Sequence, residues 1–261
     1  SFQEVWPEES GIVVPGDGRE VAVVDLDLQA ATATLELLNG SGGEGIAIEC
    51  DVTQSDQVRG IIERLCADRG ALDLMVNNAG ITWGSRTEEL SVEQWDRIID
   101  VNIRGVTHGV AAAYPLMVRQ RGGRIVNTAS MGGLMPAGLI TSYCMTKHAV
   151  VGLSLSLRSE AVHHGVGVTA VCPSAVETPI LDSGQQGGFD GRRYYLTGQG
   201  MSKALDPDEL ADAVLRGVAR DEALVIAPSR SKVTYAVGRL APGFARRMTA
   251  RFVGQQMEAM R

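Results

Sequence analysis

The sequence predicts a doubly wound, mainly parallel α/β sheet with helices on both faces, formed by a single domain over residues 1–261. Six short runs rich in Val, Ile and Leu are too apolar for a sheet with one face in water. They cover residues 21–25, 45–49, 71–76, 124–127, 166–171 and 223–227. Segments of helical period separate them, and a chain of this length suits one such domain.

The helices between these runs have recognisable starts. Thr53 or Ser55 can cap one helix, and Ser91 with Gln94 forms a capping-box pattern ahead of another. Pro207 suits the first turn of a third helix. The stretch 178–205 is glycine-rich and irregular, so we expect it to form a substrate loop or lid.

Composition narrows the class of protein. The net charge of −7 disfavours nucleic-acid binding, which needs a basic face. There is no run of 18 apolar residues and no basic-then-apolar leader, so we expect a cytoplasmic protein. The four cysteines are scattered without C-x-x-C spacing, and we expect neither a metal site nor a disulfide framework.

The most informative residues are Tyr143 and Lys147, in the run Ser142-Tyr-Cys-Met-Thr-Lys. Four residues apart on a helix, the two side chains share one face. A free phenol has a pKa of about 10, and a neighbouring ammonium group favours the phenolate. We therefore expect Lys147 to lower the pKa of Tyr143 toward the range of general acid–base catalysis. An isolated Y-x-x-x-K is more typical of an ordinary surface pair.

Other polar residues fall at the carboxyl ends of predicted strands, where open parallel sheets bind their ligands. Ser130 closes one such strand, and Asn77-Asn-Ala-Gly80 follows another. The segment 172–178 leaves a third strand at the same edge. Asn102 lies inside a predicted helix, where asparagine is unfavourable. So many coincident signals indicate an active site.

This combination resembles the short-chain dehydrogenase/reductase family, and the likeness runs from about residue 21 to residue 227. The matching motifs are N-N-A-G at 77–80, an Asn at 102, a Ser at 130, Y-x-x-x-K at 143–147 and a Pro/Thr segment at 173–178. The resemblance implies a Rossmann-like fold. It also implies hydride transfer between a nicotinamide and a carbonyl or alcohol carbon.

The resemblance also implies the roles of four catalytic residues. Tyr143 would give or take the hydroxyl proton, and Ser130 would hold the substrate oxygen. Lys147 would lower the pKa of the tyrosine and bind the nicotinamide ribose, and Asn102 would anchor a water that links Lys147 to solvent. The implied cofactor contacts are Asp25, Asp51, Val52, Asn77, Ala79, Gly80, Tyr143, Lys147, Pro173, Val176 and Thr178.

Cofactor choice can be predicted at the end of the second strand of such a fold. An acidic residue there accepts hydrogen bonds from the adenosine ribose and repels a 2′-phosphate. Asp25 matches this position, and Leu26 follows it in place of an arginine, so the sequence favours NAD over NADP. Asp51 could cap the next helix as well as contact adenine. Ser174 stands where the family commonly has glycine.

Residues 1–20 do not fit the family pattern of a strand, a T-G-x-x-x-G-x-G turn and a helix that binds the pyrophosphate. Ser10-Gly-Ile resembles the last part of the turn, but Val13 stands where a glycine is expected. If residues 11–14 form the first strand, only residues 15–20 separate it from the run at 21–25. A parallel crossover needs roughly ten residues or more, so this short connection predicts a hairpin. Either the N-terminus is remodelled and dinucleotide binding is impaired, or this segment is a frameshift or numbering artefact. The complete catalytic set favours the second explanation.

The tail at residues 229–261 is basic, with seven Lys/Arg and one acidic residue. Leu240, Phe244, Met248 and Phe252 are expected on one face of an amphipathic helix, opposite three arginines. Such a helix can lie on a membrane surface or dock on a partner subunit. We favour docking on the acidic body of its own oligomer, which the family resemblance implies to be a homotetramer or homodimer.

Two functions follow. The first is an NAD-dependent oxidoreductase that acts on a secondary alcohol or ketone of a fairly apolar small molecule, because apolar and aromatic residues flank the expected site. The second is a catalytically silent relative that keeps the fold as a scaffold with impaired dinucleotide binding. A test of NADH binding separates them.

Overall fold

The computed structural model describes residues 20–260, in which six parallel strands form two sheets. Strand β1 pairs with β2, and the other four strands follow the order β3-β4-β5-β6. All six apolar runs form strands, which confirms the predicted fold class. The strands are β1 (Glu20–Asp25), β2 (Glu44–Glu49), β3 (Leu74–Asn77), β4 (Gly123–Thr128), β5 (Val166–Pro173) and β6 (Leu224–Ala227).

Helices cover both faces of the larger sheet. On one face, Val126, Val171 and Val225 pack against Leu210 and Val214 of α7. On the other face, strand residues such as Ile125 and Val168 pack against α4 and α5. The helices are α1 (Leu28–Gly40), α2 (Ser55–Arg69), α3 (Val92–Ile99), α4 (Val106–Gln120), α5 (Thr141–Ala161), α6 (Gly191–Gly198), α7 (Pro207–Ala219), α8 (Ser231–Leu240) and α9 (Pro242–Ala259).

Two of the three predicted helix starts are confirmed. Ser91 and Gln94 form the capping box of α3, and Pro207 begins α7 after Asp206. The expectation for α2 is wrong, because Gln54 occupies its N-cap position and makes no side-chain cap bond. The Thr53 hydroxyl and amide instead donate to Asp51 Oδ1, so they stabilise the turn before the helix.

The glycine-rich stretch 178–205 is more ordered than the sequence predicts. It contains a 3₁₀ turn at Pro179–Leu181 and the helix α6, whose N-cap Asp190 accepts the Arg193 amide. Local signals are weak in this stretch because glycine disfavours helices. Tertiary packing of the α6 tyrosines supplies the missing stabilisation.

The basic tail forms two helices rather than one, because Pro242 begins α9 just after α8 ends at Leu240. The expected common apolar face is therefore wrong for Phe252, which packs into the protein. Leu240, Phe244 and Met248 remain exposed.

Because the strands within each sheet are parallel, the carboxyl ends of the strands of a sheet lie at one edge of that sheet. The predictions for residues 1–20 fall outside the described residues, apart from Glu20, which begins β1. Within residues 20–260, no helix has the length and apolar character needed to cross a bilayer.

Candidate active site

Helix α5 brings the Tyr–Lys pair to the carboxyl edge of the larger sheet. Tyr143 and Lys147 lie one turn apart, and both are buried. Lys147 Nζ donates a hydrogen bond of 2.7 Å to the Thr128 carbonyl at the end of β4. The same nitrogen lies 5.6 Å from the centroid of the Tyr143 ring. The predicted pair is therefore part of the interior of the site and not an ordinary surface pair.

Ser130 lies beside the phenol. Its hydroxyl accepts the Gly132 amide at 3.1 Å, and while burial raises the pKa of the Tyr143 phenol, a hydrogen bond with Ser130 partly opposes that rise. A Cβ added at Gly132 would lie 3.6 Å from both Ser130 Oγ and a ring carbon of Tyr143. The absence of a side chain at Gly132 thus keeps this corner of the site open.

The expected depression of the Tyr143 pKa is wrong for the protein without a cofactor. Burial raises the pKa of Tyr143 to about 12, and this outweighs the opposing hydrogen bond from Ser130. Burial also lowers the pKa of Lys147 to about 8, because an ammonium group loses its hydration there. Near neutral pH the tyrosine is therefore a protonated phenol that can donate its proton.

Asn102 lies in a π-helical turn, Asp100–Gly105, between α3 and α4. Its side chain is fully buried: Oδ1 accepts the Ile81 amide at 2.8 Å, and Nδ2 donates to the Ile81 carbonyl and to Thr146 Oγ1. Asn102 therefore fastens the loop after β3 to α5. Single π turns inside α-helices often mark functional sites, and this one explains an asparagine in a helix interior.

The loop after β3 borders the Tyr–Lys pair. A Cβ on Gly80 would lie 3.3 Å from Lys147 Nζ and 3.4 Å from Asn102 Oδ1. Ala79 precedes it and is half-buried. The backbone of this loop thus passes close to the lysine, and a larger residue at Gly80 would crowd it.

Asn77 belongs to a buried chain of amides that sequence reasoning did not find. Its Nδ2 donates to Asn127 Oδ1 at 2.8 Å, and Asn127 Nδ2 donates to Ser154 Oγ at 3.0 Å. A Cβ on Gly109 would come within 1.9 Å of Asn77 Oδ1, so α4 closes over this side chain. The only available signal was an asparagine inside the apolar run at 124–127.

At the ends of β1 and β2, the two predicted carboxylates are tied to their own turns. Asp25 is buried, and its Oδ1 accepts the Asp27 amide at 2.9 Å. Asp51 Oδ1 accepts from Thr53, and hydrogen bonds from Thr53 hold the pKa of this carboxyl below its usual range despite the cost of burial. The Val52 carbonyl lies 2.9 Å from His108 Nδ1. Both carboxylates therefore lie at the carboxyl edge of the smaller sheet, formed by β1 and β2.

The segment after β5 contains Pro173, Val176 and Thr178. Pro173 ends the strand, Val176 forms a bridge with Leu205, and Thr178 precedes the 3₁₀ turn. Ser174, the departure from the family pattern, shares a 2.7 Å hydrogen bond with Ser231 at the start of α8. This departure therefore connects the site segment to the basic tail.

An aromatic wall, formed by Phe189, Tyr194, Tyr195 and Phe252, covers Tyr143. The Tyr194 ring lies 5.0 Å from Phe189 and 5.2 Å from Phe252, measured between centroids. Tyr195 Oη lies 3.0 Å from Thr82 Oγ1 in the loop after β3. Residues of the stretch 178–205 and of the end of α9 thus pack in one cluster with Tyr143.

The family model described as short chain dehydrogenase matches residues 14–187, which is most of the chain. The chain belongs to this family. "Probable oxidoreductase EphD" of Mycobacterium tuberculosis is 31% identical over 251 residues, 93% of this chain. The chain spans 42% of the length of that relative. The "Cyclohexanol dehydrogenase" of an Acinetobacter strain is 33% identical over 175 residues, 67% of this chain and 70% of that protein.

Solved structures of short-chain dehydrogenases have a fold similar to that of this chain. A short-chain dehydrogenase from Burkholderia phymatum in complex with NAD has a TM-score of 0.76 and 27% identity, covering 85% of each chain. A short-chain dehydrogenase from Sphingobium yanoikuyae in complex with NADPH has a TM-score of 0.72 and 28% identity, covering 90% of this chain and 86% of the other. This chain thus belongs to the short-chain dehydrogenase family and has a Rossmann-like fold, and the similar solved structures include complexes with either dinucleotide.

The described residues fit a nicotinamide dinucleotide. An ammonium group has three donors, and Thr128 is the acceptor seen for Lys147, so further N–H groups can serve ribose hydroxyls. The glycine at position 80 leaves room beside that amine. Asp25 lies at the edge of the smaller sheet with one carboxylate oxygen engaged in its turn. The phosphate-binding segment expected before β1 lies outside the described residues.

Proposed function

We propose that this short-chain dehydrogenase is an NAD-dependent oxidoreductase that interconverts a secondary alcohol and the corresponding ketone. The observation that carries the proposal is the buried group of Ser130, Tyr143 and Lys147 at the edge where parallel sheets bind ligands. The family supports an oxidoreductase. The choice of cofactor and substrate rests on residues of this chain.

Tyr143 acts as the proton donor when the ketone is reduced and as the acceptor when the alcohol is oxidised. Its raised pKa keeps the phenol protonated near neutral pH, which suits donation to a forming alkoxide. The Ser130 hydroxyl holds the substrate oxygen beside the phenol by a hydrogen bond. When bound, the nicotinamide supplies or accepts the hydride.

Lys147 positions the nicotinamide ribose and supplies positive charge near the phenol. Its amine is anchored on Thr128 and has donors to spare. Asn102 acts through position, because it fastens the loop that contains Gly80 against α5. The Asn102 amide carbonyl has a second lone pair, which can anchor a water that links Lys147 to solvent.

Asp25 carries the preference for NAD. Its carboxylate at the end of β1 can accept the adenosine ribose hydroxyls, and its negative charge opposes a 2′-phosphate. Leu26, which follows it, is exposed and supplies no positive charge to pair with a phosphate. Asp51 with Val52, and the segment with Pro173, Val176 and Thr178, provide the remaining proposed contacts at the two ends of the cofactor.

The substrate is an apolar small molecule. The aromatic wall packs in one cluster with Tyr143, and Ile81 and Trp83 of the loop after β3 pack against the same cluster. The buried Trp83 Nε1 has no hydrogen-bond partner in residues 20–260 and can serve a second acceptor atom of the substrate. Cyclic and aryl-alkyl ketones fit this lining, and the printed name of the Acinetobacter relative supports a cyclic alcohol.

The test is a fluorescence titration of the whole chain with NADH, followed by turnover with cyclohexanol, cyclohexanone and a series of aryl-alkyl ketones. We expect saturable NADH binding, weaker NADPH binding and turnover of at least one apolar substrate. Absence of binding at millimolar NADH would instead support the silent scaffold. Binding without turnover of any substrate in the series would overturn the proposed substrate class.

A further inference from the structure

The outer face of the C-terminal helices exposes an unusual amount of apolar surface. We call this face the α8–α9 patch; its apolar members are Val233, Val237, Leu240, Phe244 and Met248, which are 41–86% exposed. Val233, Val237 and Leu240 follow the i, i+4, i+7 spacing of one helix face, and Phe244 and Met248 are one turn apart on α9. Both helices therefore present an apolar stripe to the surroundings.

The opposite faces of the same helices are packed into the protein. On α8, Tyr235 joins the core, and a Cβ on Gly238 would come within 2.2 Å of the Met135 sulfur. On α9, Phe252, Val253 and Met257 pack against the cluster around Tyr143. The exposed stripe is consequently the free side of two anchored helices.

The patch is also strongly basic. Its cations are exposed, and the run 231–257 contains no acidic residue. Within the part of the chain from 20 to 260, no carboxylate forms an ion pair with any of them. The Arg239 guanidinium group lies over the Tyr235 ring and donates a hydrogen bond to the Tyr235 hydroxyl. The cations are Lys232, Arg239, Arg246, Arg247 and Arg251.

This charge disfavours a dimer in which the patches of two copies face each other. A two-fold dimer brings the same patch of each subunit together. Five cations would then face five cations with no carboxylate in the patch to separate them, and like charges across an interface are costly. An anionic surface complements the cations and can also receive the apolar side chains.

We propose that the α8–α9 patch docks the protein on an anionic lipid surface. The apolar stripe would enter the boundary between headgroups and acyl chains, and the flanking Lys and Arg side chains would contact lipid phosphates, as amphipathic helices do at membrane surfaces. The proposal concerns a surface outside the catalytic machinery, and it holds whether or not the proposed reaction is correct.

The test is co-sedimentation of the whole chain with vesicles. One set contains phosphatidylcholine alone, and the other contains equal parts of phosphatidylcholine and phosphatidylglycerol. We expect binding to the second set only, weakened by added salt because salt screens exposed charges. A double variant, Leu240→Ser with Phe244→Ser, removes exposed apolar groups without touching the core, and we expect at least tenfold weaker binding.

A second double variant, Arg246→Gln with Arg247→Gln, should weaken binding by at least tenfold and reduce its salt dependence. The matched control changes Val92→Ser and Arg64→Gln, which are exposed on other helices, and should bind as the parent does. Failure to bind anionic vesicles would overturn the proposal. So would a Leu240→Ser, Phe244→Ser variant that binds normally, or one whose only change, by light scattering, is dissociation of an oligomer.

Discussion

The two ends of the proposed dinucleotide site are built differently. At the catalytic edge, formed by the ends of β3 to β5 together with α5, hydrogen bonds join elements far apart in the chain: Asn102 binds Ile81, Lys147 binds Thr128, and Asn77 binds Asn127. At the adenosine edge, formed by the ends of β1 and β2, Asp25 and Asp51 bond to residues two positions ahead.

This difference teaches which properties can be changed separately. Hydrogen bonds at the catalytic edge tie the groups that we propose as catalytic into the core, so changes there should affect both activity and folding. Carboxylates at the adenosine edge contact their own turns, so they can be replaced with little effect on the rest of the fold. The predictions below test that contrast.

Among the changes that separate the two edges, Lys147→Met at the catalytic edge should have the largest effect. The change removes the buried ammonium group beside the phenol and the hydrogen bond to Thr128. We expect kcat to fall about 10³-fold, within the range for general acid–base groups, with a higher KM for NADH. Steady-state kinetics with saturating ketone measure both, and Lys203→Met, at an exposed position, is the control. An unchanged kcat would contradict the role of the lysine.

At the adenosine edge, Asp25→Ala combined with Leu26→Arg should change the choice of cofactor. The variant loses the charge that opposes a 2′-phosphate and gains a guanidinium group that can pair with it. We expect the ratio of kcat/KM for NADH over NADPH to fall about 100-fold, while kcat stays within a few-fold. Asp56→Asn, at an exposed position of α2, should leave the ratio unchanged. A large loss of kcat in the double variant would show that the two edges are not separable.

Folding stability, unlike cofactor choice, should respond to a change in the buried amide chain at the catalytic edge. Asn127→Ala leaves the Asn77 amide without its buried acceptor and removes the donor to Ser154 Oγ, which keeps its own bond to the Val150 carbonyl. We expect the free energy of unfolding to fall by about 1–3 kcal/mol, as for other buried polar groups that lose a partner. Urea denaturation measures the change, and exposed Asn39→Ala should stay within about 0.5 kcal/mol of the parent. Equal losses of unfolding free energy in the two variants would contradict the claim that burial makes the Asn127 hydrogen bonds important for stability.

The sequence predicted the sheet well because each strand is an apolar run, and this signal is local. It also identified Ser130, Tyr143 and Lys147 as one group, since helix spacing and strand ends determine their placement. It could not predict the π turn at Asp100–Gly105 or the amide chain through Asn127, because both depend on contacts between distant segments. The predicted direction of the Tyr143 pKa shift was wrong because burial raises this pKa and outweighs the hydrogen bond with Ser130.

The smallest effect concerns ionisation of the protein without cofactor. With its pKa raised to about 12, Tyr143 stays protonated where an ordinary phenol begins to ionise. Because the folded state holds this proton more tightly, its contribution to stability is present below pH 10 or so and is lost as the pH rises toward 12. A difference titration of phenolate absorbance between the parent and Tyr143→Phe should show no Tyr143 signal below about pH 10. A transition near neutral pH would contradict the dominance of burial.

The most direct test of the account is a single turnover of Tyr143→Phe with NADH already bound, followed by the loss of NADH fluorescence after a ketone that the parent reduces is added. The variant lacks only the hydroxyl group, and Tyr114→Phe, on α4, is the matched control. We expect NADH affinity within a few-fold of the parent and a hydride-transfer rate lower by about 10²–10⁴-fold. A variant that binds NADH and reduces the ketone at the parent rate would show that Tyr143 is not the proton donor.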